Sequence, residues 1–318
     1  MGDKIKLICV VGATASGKTA LGVALAKALD GEVISADSMQ VYRGMPIATA
    51  AATAEEQQGV PHWLLEFLEP EESFSVADFV SLAKEKINDI VSRGKVPVLV
   101  GGTGLFIDSL VQNLQFSDVG ADEELRASLA GKTNEELYEE LCAADGEAAA
   151  QIHPNNRKRV IRALELCRGG TSKTQQNADS RNGESPYEAL WIQIDYSDRQ
   201  KLYDRIDRRV DNMLEAGLAD EAKVMLGRTG ATSRQAIGHK ELAPYLRGEI
   251  PLQEAADNLK RETRRYAKRQ LTWFRRNEKI HRLCADELGT EAVTAQAIAL
   301  AKAFLNNPER KTDEESQN

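Results

Sequence analysis

Val10-Val11-Gly12-Ala13-Thr14-Ala15-Ser16-Gly17-Lys18-Thr19 is the stretch that decides the fold. It has the spacing G-x-x-x-x-G-K-[ST]. The apolar segment Leu7 to Val11 leads in, and the Ala- and Leu-rich segment Thr19 to Leu29 follows. Strand, glycine-rich turn and helix in that order make an anion cradle. The glycines let the backbone curl round a phosphate, the free N–H groups of the helix start point at it, and the helix dipole adds to the attraction. Lys18 supplies a point charge and Thr19 a hydroxyl that can ligate magnesium. Gly12, Ala13, Thr14, Ala15, Ser16, Gly17, Lys18 and Thr19 are therefore expected to bind a di- or triphosphate.

Outward from this loop, apolar strands alternate with helical segments. Glu32 to Asp37, a short run from His62 to Leu68, and Val96 to Val100 read as strands, and Phe74 to Val91 has helical periodicity. That alternation implies a parallel sheet covered on both faces. From about Asp118 to Glu188 the chain turns acidic and helical, over Glu123 to Leu129, Asn134 to Ala144 and Asn155 to Leu166. It then runs through a polar, turn-rich stretch, Gly169 to Pro186, read as a mobile connector, before Ala189 to Ile194 resumes a strand pattern. Beyond it, helices are expected over Arg199 to Ala216, Leu218 to Leu226, Ser233 to Leu246 and Leu252 to Arg275, with a last strand at Ile280 to Ala285. The expected class is α/β: a P-loop NTPase-like parallel sheet flanked by helices, over residues 1–117 and 189–308, with a helical insertion domain at 118–188 and a disordered tail at 309–318.

Composition narrows the class. The chain has 318 residues, 42% hydrophobic and 28% charged, which suits a globular core and leaves no apolar stretch able to span a bilayer. Met1 to Lys6 runs straight into the first strand without a secretory signal, so a cytoplasmic protein is expected. The four cysteines, Cys9, Cys142, Cys167 and Cys284, are too scattered for a zinc site or a disulfide framework. A net charge of −8 argues against generic nucleic-acid binding, but the distribution is polarised. Lys260, Arg261, Arg264, Arg265, Lys268, Arg269, Arg275, Arg276, Lys279 and Arg282 face only Glu262 and Glu278 in their segment. One basic helix on an acidic protein can hold a polyanion.

A phosphate loop suggests a kinase or NTPase, yet the strand best placed to carry a second magnesium-binding acid ends in Gly101-Gly102-Thr103-Gly104. The nearest strand-terminal acid is Asp37. In a parallel sheet the strand C-termini share one crevice, so Asp37, Thr103 and the phosphate loop are expected together, with Asp37 able to accept a proton from an incoming nucleophile. A turn or helix-capping role is the plainer alternative for Asp37. Arg205 and Arg209 share a helix face and suit an anionic clamp, with ion pairing to Asp204 or Asp207 as the alternative. Two basic helical segments, Arg157 to Arg162 and Arg261 to Arg275, are either solvated faces or polyanion grips. His62, His153 and His239 carry little signal singly.

Several runs together resemble the bacterial tRNA dimethylallyltransferases, also called tRNA isopentenyltransferases. They are Gly12 to Thr19, Ile34 to Met45, Phe74 to Phe79, Val100 to Leu105, His153 to Arg159, Gly217-Leu218, Ala236 to Gly238, and Arg264 to Arg275. The run at Asp37-Ser38-Met39-Gln40 and that at Lys268 to Arg275 are the most specific. The resemblance implies transfer of a dimethylallyl group from dimethylallyl diphosphate to the exocyclic N6 of the adenosine 3′-adjacent to the anticodon in tRNA, with Mg2+ as cofactor. It implies Asp37 as general base, Thr103 beside it, and Lys18 and Thr19 on the leaving diphosphate with Arg205 and Arg209. It implies contacts to the tRNA anticodon stem-loop from Asp37, Ser38, Met39, Gln40, Thr103, Arg126, Lys158, Arg159, Val160, Ile161, Arg162, Lys268, Arg269, Gln270, Leu271, Thr272, Trp273, Phe274 and Arg275. A monomer without membrane attachment is expected. Phe106, His62-Trp63, His239, Ala48 and Ala50 depart from the family's usual residues. The competing readings are an ATP-dependent small-molecule kinase, prenylation of free adenine nucleotides, and a non-enzymatic RNA-binding ATPase switch. The first two leave the basic helices without a role.

Overall fold

The computed structural model describes residues 4–114, 116, 122–170, 172, 174, 184–230 and 232–307. The expected tail at 309–318 and most of the turn-rich stretch past Gly170 lie outside them. The chain divides into two units, one formed by Met1–Val111 with Tyr187–Asn318 and the other by Gln112–Pro186.

The first unit is built on strands β1 (Ile5–Gly12), β2 (Gly31–Ser35), β3 (His62–Trp63), β4 (Val96–Gly101), β5 (Tyr187–Asp195) and β6 (Ile280–Cys284). They form one six-stranded sheet in the order β3-β2-β4-β1-β5-β6, with every pair parallel. Parallel strands need crossovers, and helices supply them: α1 (Lys18–Ala28), α2 (Pro46–Thr49), α3 (Ala54–Gln57), α4 (Val76–Ser92) and α5 (Gly104–Val111). The near-continuous apolar runs of β1 and β4 follow from burial on both faces. Ile8, Val10, Val98 and Val100 pack into one cluster with Leu21 and Leu25 of α1. The alternating residues Leu7, Cys9, Val11 and Leu99 point the opposite way and are also fully buried. Each such aliphatic side chain contributes roughly 1.5–3 kcal/mol by leaving water.

The second unit contains α6 (Glu123–Leu129), α7 (Asn134–Ala144), α8 (Gly146–Gln151) and α9 (Arg157–Arg168). Leu129, Leu137, Leu141, Ala149, Val160, Ala163 and Leu164 form its core. A capping box between Thr133 and Glu136 starts α7, and the Asn156 side chain caps α9. Glu165, a buried carboxylate of this unit, takes hydrogen bonds from Arg126 at 2.6 Å and Arg162 at 3.0 Å.

The first unit then continues through α10 (Arg199–Glu215), α11 (Leu218–Met225), α12 (His239–Leu246), α13 (Leu252–Phe274), α14 (Ala285–Leu288) and α15 (Thr290–Asn306). Three expectations change. The strand at His62 to Leu68 keeps two residues, because Leu64 and Glu66 take positive φ of 58° and 46° and leave the ladder. The helix expected over Ser233 to Leu246 is split at Gly238, whose φ of +122° disfavours any side chain. The Ala-rich α15 was not foreseen; Val293, Ala297 and Ala301 recur every four residues and are buried in the cluster that includes α1. Among the described residues no helix is long and apolar enough to cross a membrane.

One buried ion pair secures the start of β2. Glu32 is 2% exposed and accepts from both Arg93 guanidinium nitrogens, at 2.5 and 2.8 Å, and from Trp63 Nε1 at 2.8 Å. The Arg93 hydrogen bond holds this carboxyl below the usual range against the effect of burial. Glu32→Gln is expected to cost about 1–3 kcal/mol of stability at pH 7, read from denaturant midpoints. A lowered carboxyl pKa stabilises only above the unfolded value, so the gap to wild type should close as pH falls through the carboxylate range.

Candidate active site

The C-terminal ends of the strands meet where the sequence motifs lie. Val11 pairs with Gly101, Gly12 with Ile194, and Ser35 with Val100. The phosphate loop leaves β1 at Gly12, whose φ is +142° and where a Cβ would stand 2.7 Å from the Ile194 carbonyl oxygen. The loop re-enters helix at Gly17, also left-handed at φ 104°, and no side chain caps the first N–H groups of α1. Those donors and the dipole remain available to an anion. Lys18 Nζ donates to the Ala13 carbonyl at 2.6 Å. Burial, reinforced by the Arg209 charge and opposed by Asp37, lowers the Lys18 ammonium to about 8. Arg209 is itself pushed below the ordinary guanidinium value by burial, against the pull of Asp37 and Glu56. A lysine disfavoured as a cation by burial and by a neighbouring arginine charge makes a site that gains by taking up an anion.

Asp37 follows β2 after one residue, Ala36. Its Oδ1 accepts from the backbone N–H groups of Met39, at 2.9 Å, and Gln40, at 3.4 Å. The turn-forming role weighed from sequence is thus present, and among the described residues Oδ2 has no hydrogen-bond partner. The following turn is latched to the other loop, since Ser38 N donates to Thr103 Oγ1 at 3.1 Å and Thr103 N to the Ala36 carbonyl at 3.2 Å. Gln40 is committed within its own loop, accepting from Ser35 Oγ and donating to the Thr49 and Ala50 carbonyls. Tyr266 of α13, which the sequence suggests only for packing or stacking, reaches the same place. Burial and the Asp37 charge push its phenol up, while a hydrogen bond with Thr103 opposes them.

The remaining expected residues fall into three groups. Arg205 donates from Nε to the Ala15 carbonyl at 2.9 Å, so it props the phosphate loop. Neither Arg205 nor Arg209 pairs with the neighbouring acids: Asp207 binds Arg264 and Asp204 binds Gln200. On α13, Lys268, Arg269, Thr272 and Arg275 are exposed along one side. Gln270, Leu271 and Phe274 are buried at 5%, 7% and 1%, and Trp273 is bonded to Asp108, so these four support the cationic face rather than form it. In the second unit, Lys158 and Arg159 are exposed on α9, Val160 is in the core, Ile161 packs against it, and Arg126 and Arg162 serve Glu165. The departures from the family pattern have structural uses. Phe106 stacks on Phe79 at 4.5 Å, His62 Nδ1 lies 2.9 Å from the Val60 carbonyl, and His239 Nε2 lies 2.8 Å from Glu221 Oε1.

Among the described residues no cluster of His, Cys, Asp and Glu is set to hold a metal ion on its own. The loop does offer hydroxyls. Ser16 Oγ is buried without a partner, and Thr19 stands at the loop's exit. These hydroxyls are the groups of the loop that could take part in holding a magnesium ion.

Comparison with known proteins converges on one family. The model of the IPP transferase family matches residues 40–277. A tRNA dimethylallyltransferase of Halalkalibacterium halodurans is 51% identical over 284 residues, covering 87% of this chain and 90% of that relative. A tRNA dimethylallyltransferase of a Thermoanaerobacter species is 45% identical over 280 residues, covering 85% and 89%. The crystal structure of the tRNA isopentenylpyrophosphate transferase of Bacillus halodurans superposes with a TM-score of 0.72 at 46% identity, covering 95% of this chain and 97% of that one. A eukaryotic dimethylallyltransferase captured acting on tRNA superposes with a TM-score of 0.81 at 29% identity, covering 97% and 81%.

The lowered Lys18 ammonium makes anion binding pH-dependent. Affinity for a diphosphate ester, measured by calorimetry, should fall as pH rises through about 8, because the free site loses the Lys18 proton there. Lys18→Met should bind at least roughly tenfold more weakly and lose this slope. A wild-type affinity that is flat across that range contradicts the assignment of Lys18 to the anion.

Proposed function

This chain belongs to the IPP transferase family, and on that premise we propose that it moves a dimethylallyl group from dimethylallyl diphosphate to N6 of the adenosine just 3′ of a tRNA anticodon. It is a transferase. The observation that carries the reading is the position of Asp37: just past the end of β2, in a turn latched through Ser38 to Thr103, within the field of Lys18 and Arg209, and with Oδ2 unpartnered among the described residues.

The chemistry sets what these residues must do. The N6 lone pair is delocalised into the purine, so the amine is a weak nucleophile and departure of the diphosphate carries much of the barrier. As the C1–O bond of the donor breaks, positive charge gathers on the allyl group and negative charge on the diphosphate. The N–H groups at the start of α1, with Lys18 and Arg209, are the groups that would stabilise that negative charge. The new bond joins C1 to N6, and N6 gives up a proton to Asp37 Oδ2. Thr103 and Tyr266 keep the carboxylate's loop in place. Magnesium would neutralise charge on the departing diphosphate, held by Thr19 with Ser16 nearby.

The acceptor must leave its stack to reach a crevice at the sheet's end, and an anticodon-loop nucleotide costs less to extrude than a paired one. Lys268, Arg269 and Arg275 supply the sequence-independent grip on the phosphate backbone, and Lys158 and Arg159 offer a second cationic surface. A tRNA substrate supports a cytoplasmic site of action.

Asp37→Asn tests the assignment. It keeps the turn-forming oxygen and removes the basicity. Transfer turnover with tRNA should fall by roughly 10²-fold or more, with affinities for tRNA and the donor little changed. Turnover within a few-fold of wild type removes Asp37 as the base.

A further inference from the structure

Gln270 sits in the cationic run of α13, yet its side chain faces inward and is 5% exposed. Oε1 accepts from the Thr14 N–H at 2.8 Å, and Nε2 donates to the Gly102 carbonyl at 3.0 Å. Thr14 belongs to the phosphate loop, and Gly102 immediately precedes Thr103. One side-chain amide therefore spans the two loops that leave neighbouring strands β1 and β4. The backbone opposite is cut to fit it. A Cβ on Gly102 would stand 2.0 Å from Gln270 Nε2, and one on Gly104 would stand 2.2 Å from Cδ1 of Trp273, the residue three further along α13. Trp273 in turn donates to Asp108 of α5 at 2.7 Å. The glycines of the Gly101-Gly102-Thr103-Gly104 turn thus leave room for this helix. Only glutamine has the reach to accept at one loop and donate at the other: glutamate lacks the donor, asparagine is a methylene short, and leucine has neither group.

We propose that Gln270 is a positioning residue for the transfer and not a tRNA contact. It fixes the separation between the diphosphate loop and the Thr103 turn, and it ties both to the helix whose outer side carries Lys268, Arg269 and Arg275. The inference rests on the transferase reading. Donor and base are held by different loops, so their relative placement depends on whatever bridges them, and a displacement of about 1 Å at reacting groups can cost about 10²-fold in rate.

Gln270→Leu and Gln270→Glu test this beside Lys268→Ala. Three quantities are read: single-turnover transfer, tRNA affinity across a salt series, and amide hydrogen exchange of the 12–19 peptide in the unliganded protein. Both Gln270 variants should transfer roughly 10–100-fold more slowly, keep tRNA affinity and salt slope close to wild type, and exchange faster in the loop. Lys268→Ala should show the reverse pattern, weaker tRNA binding with a shallower salt slope and unchanged loop exchange. If Gln270→Leu does not fold, Gln270→Glu carries the test, since it keeps the volume and the Thr14 acceptor while setting a carboxylate against the Gly102 carbonyl. A folded Gln270 variant with wild-type transfer, or one that loses tRNA affinity in step with Lys268→Ala, overturns the proposal. Absence of transfer by the wild-type protein overturns the transferase reading instead, and the exchange difference still decides whether Gln270 fixes the loop.

Discussion

The whole arrangement depends on how tightly the ends of β2, β4 and β1 are pressed together. Ala36 N donates to the Val100 carbonyl at 2.8 Å, and Thr103 N returns a bond to the Ala36 carbonyl. A Cβ on Gly101 would stand 2.1 Å from that same Ala36 oxygen. The strand that launches Asp37 and the strand that launches Thr103 therefore touch backbone to backbone just before their functional residues. On the other side of β4, the pairing of Val11 with Gly101 sets the phosphate loop beside the Thr103 turn. A parallel sheet brings strand ends together as a matter of topology. Here glycine at the crowded position brings them close enough for one carboxylate, one hydroxyl and one anion cradle to share one crevice.

Around that centre, charge is divided by task. The half-buried cations Lys18 and Arg209 are both held below their ordinary values by burial, and poor solvation of this kind strengthens an interaction with an anion. On α13, one flank is tied to α10, by Arg264 to Asp207 at 2.7 Å and Lys260 to Asp211 at 2.6 Å. Exposed pairs of this kind contribute only about 0–1 kcal/mol each, so the packing of Leu259, Ala267, Leu271 and Phe274 holds the helix in place. The ion pairs fix which side faces outward. A chain with a net charge of −8 thereby presents a compact cationic strip without becoming a general polyanion binder.

The sequence carried the parts of this account that are local. The loop motif pointed to a di- or triphosphate, continuous apolar runs announced a parallel sheet, and the break in character after the fourth strand marked a helical insertion. Asp37 was singled out because strand C-termini converge in such a sheet. Side chains acting across long separations left no local trace. Gln270 is 256 positions from Thr14, and Trp273 is 165 from Asp108. Within the basic run of α13, periodicity alone did not separate residues that face outward from those that brace the turn beneath. The buried Glu165 similarly claims Arg126 and Arg162, which read from sequence as part of a cationic surface. Gly238 broke an otherwise plausible helix because the backbone there has a conformation that the residue pattern does not encode.

The most direct test of the central claim is a transfer assay with the purified protein, magnesium, unmodified tRNA and labelled dimethylallyl diphosphate, with labelled ATP in a parallel reaction. The account predicts label from the prenyl donor on a single adenosine beside the anticodon and no phosphoryl transfer or hydrolysis of ATP. Turnover of ATP with no prenyl label on tRNA would contradict it.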